Sequence, residues 1–271
     1  MKRGCICNSV ANDGPTEVFM KFAKILLFSL IAFSFVNCVE LFQSKKKKDN
    51  TDALLAALFV APNCGSGSVS DAAGKGTRYQ FSGCSGDVTA TLRAFGFTAN
   101  GVSFGGGLQG TSNSSTILTN ASSLSETGND SKAGIEITYI MNQADSTVDA
   151  LIQSTPSFIG PGVQLSPTVA KWLDSATAAD FVTTASKPWT SSVGVPKTVC
   201  LEVHKENSKG HIFGWSIPCN LANRSTYEFE EEDATIKGGI TDGRIGLKIN
   251  KAVIQSITIY TTKLGLNKSI Q

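Results

Sequence analysis

Side chains that could hold a sugar alternate along one predicted strand near the middle of the C-terminal half. Successive side chains of a β-strand point to opposite faces, so Glu202, His204 and Glu206 share one face. After a turn, a returning strand presents Phe213 and Trp215 together on one face. Aromatic rings stack on the CH faces of sugars, while carboxylates and imidazoles bond to sugar hydroxyls. These five residues therefore form a candidate ligand face.

A cross-strand disulfide is expected to set the pairing of these two strands. With Cys200 directly opposite Cys219, the register places His204 opposite Trp215. The alternative is that a loop covers the two aromatic residues and that the acids and the histidine are simply solvated.

Paired carboxylates are the obvious candidates for catalysis, but their spacing or setting argues against it. Sugar-cleaving enzymes hold two carboxyl groups about 5–9.5 Å apart. Glu202 and Glu206 lie about 13 Å apart at the rise of a strand, and Glu228 and Glu230 about 6.7 Å. The second pair stands in an acidic run that is typical of a solvated edge. No G-x-S-x-G motif is present, so we assign no catalytic residue, and no motif indicates a cofactor.

Four cysteines follow Cys38, an even number that an oxidising compartment favours. Three pairings are possible. The sequence-local one joins Cys64 to Cys84 and Cys200 to Cys219, and each loop of about 20 residues would contribute about 3 kcal/mol to stability. A zinc site is the alternative, but no pair has the C-x2-C spacing and the chain has two histidines.

The body of the chain, residues 64–271, predicts one all-β domain, an antiparallel two-sheet sandwich of the jelly-roll kind. Alternating apolar residues recur between turns rich in Gly, Ser and Asn, without helical periodicity. The expected strands cover 78–82, 88–98, 116–119, 135–141, 198–205, 212–217, 227–231, 244–249 and 253–261.

The last two of these strands carry a family resemblance. The run Arg244-Ile-Gly-Leu-Lys-Ile followed by Ile257-Thr-Ile-Tyr resembles the closing strands of concanavalin-like jelly rolls, which include lectins, glucanases and laminin-G-like domains. The resemblance covers about 70 residues in common residue types. It implies a two-sheet sandwich whose concave face binds glycans. The E-x-D-x-x-E arrangement of the glucanases is absent.

The N-terminal region predicts export and a lipid anchor. Residues 20–37 combine a short basic segment with the uncharged run 25–36, which is too short to span a bilayer as a helix and fits a secretion signal. The run ends in Phe35-Val36-Asn37-Cys38, which resembles the lipobox of spirochaetal lipoproteins and implies acylation of Cys38. An ordinary cleaved signal and an uncleaved membrane helix are the alternatives. Residues 1–19 do not fit this pattern and indicate an over-extended start.

A tether is expected between the anchor and the body. Residues 38–52 hold the lysine run 45–48, which favours a solvated spacer or contact with anionic lipid, and 53–63 predict a short helix and linker. The order of cysteine, lysine-rich tether and Leu/Ala segment resembles leptospiral lipoproteins. It implies a lipid-bilayer partner and a place in the cell envelope, most simply the outer membrane.

Charge and composition narrow the function further. Lys and Arg number 24 and Asp and Glu 22, and four of the bases and two of the acids precede Cys38, so the remainder is neutral. A neutral body gives no electrostatic reason to bind nucleic acid. The leading hypothesis is an envelope-anchored, non-enzymatic protein that binds a glycan or a host macromolecule. The alternatives are a glycan-cleaving enzyme and a structural coat protein without a small ligand.

Overall fold

The structure is a computed structural model that describes residues 64–123, 133–173, 178–180, 189–206, 209–233 and 243–265. Its strands and helix follow this order: β1 Gly65–Asp71, β2 Gly74–Gln80, α1 Val88–Ala94, β3 Phe97–Asn100, β4 Val102–Phe104, β5 Leu108–Thr119, β6 Ala133–Met141, β7 Thr147–Ser154, β8 Gly162–Leu165, β9 Ala170–Leu173, β10 Ala178–Asp180, β11 Lys197–Glu206, β12 Lys209–Trp215, β13 Phe229–Asp233 and β14 Arg244–Tyr260. Short 3-10 turns occupy Cys219–Leu221 and Arg224–Thr226. The strands form one large antiparallel sheet that curves nearly into a barrel, so the all-β prediction is confirmed.

One long strand, β14, organises the whole sheet. Its first half pairs with β5 and β7, and its second half pairs with β2 and β6. The register shifts around Asn250 and Ala252, where Lys251 has a positive φ of 52°. The sequence predicted two closing strands here, whereas the chain continues as a single strand through that irregularity.

Residues 88–98 were predicted as a strand, and this prediction is wrong for all but the last two residues, which begin β3. The first part is the helix α1, because the Asp87 side chain accepts a hydrogen bond from the Ala90 amide at 3.0 Å and so caps its N-terminus. Leu92 is buried, with Val88 and Phe95 packed beside the core. Their i, i+4 and i+7 spacing is helical.

The main core is one cluster of buried apolar side chains that come from most strands of the sheet. Val199, Leu201 and Val203 of β11 are fully buried there, as predicted, and pack with the matching face of β6. The predicted disulfides Cys64–Cys84 and Cys200–Cys219 are both present.

The predicted signal, Cys38, the tether and the linker helix all lie outside the described residues. Within the described ranges, no helix is long and apolar enough to cross a membrane.

Candidate functional site

The predicted ligand face lies on the β11–β12 hairpin, but its register differs from the prediction. His204 pairs with His211, and Cys200 pairs with Trp215. The expected pairing of His204 with Trp215 is wrong, because Cys219 lies in a 3-10 turn beyond the end of β12 and its disulfide does not set the ladder. The register is set instead by the pairing of Glu206 with Lys209, which lie much closer in sequence than the two cysteines.

Four of the five residues lie on one face of the hairpin, and that face is covered. The exposed fraction is 0% for Glu202, 2% for His204, 8% for Phe213 and 1% for Trp215. Phe213 and Trp215 belong to a second buried apolar cluster, which consists of Ala73, Cys200, Phe213, Trp215, Cys219, Ala222, Tyr260 and Leu264. The backbone of Glu206 ends β11. A ligand for this face remains a prediction, and it would have to displace the segments that contain Ala222 and Leu264.

Arg224 compensates the buried carboxylate of Glu202. Its Nη1 and Nη2 donate to Oε1 and Oε2 of Glu202 at 2.7 and 2.6 Å. The Nδ1 atom of His204 lies 2.8 Å from Oε1 of the same carboxylate. This geometry is the bidentate one in which guanidinium and carboxylate interact most strongly. Glu202 therefore fastens the covering segment onto β11.

Aromatic rings form a continuous row beside that ion pair. The His204 and His211 rings stack at 4.9 Å between centroids, and His204 and Phe213 at 5.6 Å. Phe213 and Trp215 follow at 5.8 Å. The indole Nε1 of Trp215 donates to the Asn223 carbonyl at 2.8 Å, so its polar atom is satisfied inside the protein. The row packs as a core and presents no open platform.

Charged groups at the rim of the row neutralise one another. Both Lys209 Nζ and His211 Nε2 lie 3.3 Å from Glu232 Oε1. Hydrogen bonding from Lys209, followed by the charge of His211, lowers the pKa of Glu232. The pKa of Tyr227 is raised, chiefly by its hydrogen bond with Glu230.

The two closely spaced carboxylates, Glu228 and Glu230, interact with different partners. Glu228 accepts hydrogen bonds from the backbone and hydroxyl of Ser216, whereas Glu230 interacts with Tyr227. Among the described residues, no group of three or more His, Cys, Asp and Glu side chains could hold a metal ion.

The same sheet face continues across β6 and β14 to β2, where a second ion pair fixes Arg78. Its Nη2 donates to Glu136 Oε1 at 2.5 Å, and its Nε donates to the Thr258 hydroxyl at 3.0 Å. The other oxygen of Glu136 accepts the Cys219 amide at 2.8 Å. The Cys200–Cys219 disulfide therefore stands directly behind the carboxylate that orients Arg78.

An open groove begins at Arg78, and we call it the Arg78 groove. Its volume is 460 Å³, and it is lined by Gly65, Ser66, Gly67, Ser68, Val69, Arg78 and Gln80. Gly67 pairs with Arg78, and Gly65 pairs with Gln80, so glycines face the two long polar side chains. A Cβ added to either glycine would meet nothing within 4 Å. The Arg78 side chain is 37% exposed, so ligand can reach it.

Comparisons with known proteins do not place this chain in a family. No family model matches it, and no curated protein matches it. Among solved structures, a carbohydrate-binding module (CBM66) from Bacillus subtilis is 15% identical with a TM-score of 0.36, covering 62% of this chain and 92% of that one. A sialidase is 10% identical with a TM-score of 0.42, covering 74% of this chain and 19% of the sialidase.

A third solved structure is the exoplasmic/lumenal domain of VIP36 in a form bound to Ca²⁺ and Man3GlcNAc. It is 6% identical with a TM-score of 0.37, covering 61% of this chain and 82% of that domain. These scores describe a loose likeness of β architecture and assign no function to this chain.

Proposed function

We propose that this chain is a lectin-like β-sandwich protein that binds a glycan in the Arg78 groove without cleaving it. The observation that carries the proposal is an open groove with a glycine floor beside a guanidinium that is already fixed. Small-molecule sites combine a preformed concavity with a few oriented polar groups. Arg78 and Gln80 supply those groups, and Gly65 and Gly67 let a ligand approach the backbone of β1.

The lining of the groove favours binding over hydrolysis. Glycoside hydrolysis needs a general acid together with a nucleophile or a base, usually two carboxyl groups. The residues that line the groove carry hydroxyl, amide, guanidinium and apolar side chains, with no carboxyl or imidazole group among them. Glu136 touches Arg78 from behind, and both of its oxygens accept hydrogen bonds from the protein. The described lining residues therefore supply hydrogen-bonding groups, and none of them is an acid suited to cleave a sugar.

A substitution that places a side chain in the groove tests whether the glycan binds there. We expect Gly67→Val to weaken glycan binding by the full-length chain about tenfold or more, because a side chain at this position projects into the open groove. Ser70→Val is the matched control, since Ser70 is exposed on the same strand and does not line the groove. Binding is measured on a glycan array and confirmed by calorimetry with the best ligand.

Three results would contradict this proposal. The native chain could bind no glycan on the array, or the two valine variants could bind equally well. If the chain released reducing ends from a polysaccharide, it would be a glycan-cleaving enzyme, and the proposal of binding without cleavage would be wrong.

We also propose that the chain is anchored in the cell envelope through lipid on Cys38, facing outward from the outer membrane. Support comes from the sequence alone, namely the apolar run 25–36, the lipobox-like Phe35-Val36-Asn37-Cys38 and the lysine-rich residues 45–48. Two disulfides in the body agree with an oxidising compartment.

Processing at Cys38 is expected to appear in the intact mass of the mature protein isolated from membranes. The expected mass begins at Cys38, includes the added acyl chains and lacks four thiol hydrogens for the two disulfides. Cys38→Ser should abolish the acyl mass and release the protein from membranes. An unacylated chain that retains residues 1–37 would overturn the anchor.

A further inference from the structure

We propose that the Arg78 groove selects an uncharged glycan and discriminates against carboxylated ones. This inference rests on the proposed function and concerns the class of ligand that the same groove takes. It follows from the charges around Arg78 and from the hydrogen-bonding groups that the groove leaves available.

The positive charge of Arg78 is already balanced inside the protein. Glu136 is almost fully buried, with a side-chain exposure of 5%, and its Oε1 lies 2.5 Å from the guanidinium. A second carboxylate belongs to Asp71, which lies on the same face of β1 as Gly67. Its Oδ2 atom accepts a hydrogen bond from the Tyr260 hydroxyl at 3.3 Å. Lys75 of β2 points to the opposite face, because it alternates with Arg78 along the strand. Among the described residues, the charged groups nearest the groove are therefore one guanidinium, that of Arg78, and two carboxylates, those of Glu136 and Asp71.

The pKa of Tyr260 depends on the charges that surround its hydroxyl group. This tyrosine lies in β14 beside Glu136, Asp71 and Arg78. Burial and then the charges of Glu136 and Asp71 raise the pKa of Tyr260, and the opposing effect of Arg78 is the smallest of the influences. At the Tyr260 hydroxyl the two carboxylates thus outweigh the guanidinium, in agreement with the ion pair that balances Arg78.

The groove nevertheless retains the donors and acceptors that sugar hydroxyls need. An arginine has five N–H donors, and two of those of Arg78 bond to described residues. Gln80 lies two residues along the same face, about 6.7 Å away at the rise of a strand, and its carboxamide both donates and accepts. The guanidinium fork suits two adjacent oxygens, and the carboxamide completes the contacts of a hydroxyl-rich, neutral ring.

The test compares neutral and carboxylated glycans on one array at about 50 mM and about 500 mM NaCl, since added salt weakens charge attraction at exposed sites. We expect the full-length chain to bind neutral glycans about equally at both salt concentrations. Arg78→Lys keeps the charge but loses the planar fork, and it should weaken binding about tenfold or more.

Glu136→Gln is the decisive variant, because it removes the balancing charge and keeps one acceptor oxygen where the carboxylate has two. We expect it to raise the ratio of the affinity for carboxylated glycans to the affinity for neutral ones by about tenfold or more at low salt, even though a weaker hold on Arg78 lowers the binding of both classes. Its circular dichroism and urea midpoint establish that it is folded before binding is compared.

The outcomes separate this inference from the proposed function. Salt-sensitive binding of carboxylated glycans by the native chain would overturn the neutral class while leaving glycan binding intact. Binding of no glycan at all would overturn both. An unchanged preference in folded Glu136→Gln would show that Glu136 does not set selectivity.

Discussion

Replacing Arg224 with methionine is expected to lower the free energy of unfolding by about 3–5 kcal/mol, the usual effect of leaving one partner of a buried ion pair alone. Glu202 is fully buried, and both of its oxygens accept hydrogen bonds from Arg224. Methionine retains much of the apolar stem of arginine but donates no hydrogen bond. Urea unfolding followed by tryptophan fluorescence measures the loss, because Trp215 lies under the same segment.

A double variant separates the charge from the packing. Glu202→Leu with Arg224→Met removes both charges and keeps approximately the same volume, so it should be clearly more stable than Arg224→Met alone. If the single and double variants unfold at the same urea concentration, the ion pair is not what holds the covering segment. Lys209→Met is a surface control, because its partner Glu232 is exposed and such pairs contribute about 0–1 kcal/mol.

Removing the Cys200–Cys219 disulfide is expected to lower the free energy of unfolding by about 3 kcal/mol through loop entropy, with a further loss from packing. Both cysteines are buried in the second cluster, at 0% and 1% exposure. The variant is Cys200→Ala with Cys219→Ala, studied by urea unfolding of the otherwise oxidised chain.

The other disulfide provides a control matched in loop length. Cys64 and Cys84 are 20 residues apart and Cys200 and Cys219 are 19 apart, so loop entropy predicts nearly equal losses. Cys64 is exposed, however, so its removal leaves a smaller packing defect. Equal losses from the two double variants would contradict a packing contribution at Cys200 and Cys219. Weaker glycan binding is also expected in the Cys200 and Cys219 variant, because the Cys219 amide supports Glu136 and hence Arg78.

The sequence was sufficient to group the side chains of the β11–β12 face but not to show what covers them. Strand alternation determines which residues share a face, and Glu202, His204, Phe213 and Trp215 do so. The covering segment around 216–228 contains short 3-10 turns and no periodic pattern. Nothing local in the sequence therefore links Arg224 to Glu202, and the burial of the face could not be predicted.

Much of the fold follows from alternation, and its failures have specific causes. Strands rich in β-branched residues, such as β6 and β11, were placed almost to the residue. In 88–98, the cap supplied by Asp87 and the helical spacing of Leu92 and its neighbours prevailed over an apparent strand.

The Arg78 groove was missed because its floor lacks the usual signal of a strand. The segment Gly65–Asp71 alternates glycine and serine before Val69 and offers no apolar face to count. Its period of two, with glycine at 65 and 67, is nevertheless present in the sequence. Arg78 and Gln80 fall in a predicted strand, but their proximity to Glu136 depends on long-range pairing through β14.

The position of β14 along the chain governs when this protein can fold. Four other strands depend on it for pairing, yet it is synthesised after every other described strand. A nascent polypeptide thus has no partner for the middle of its sheet until residue 260 has left the ribosome, and such distant pairings form slowly. A nonsense mutation anywhere before residue 244 should therefore yield an unfolded fragment rather than a smaller domain.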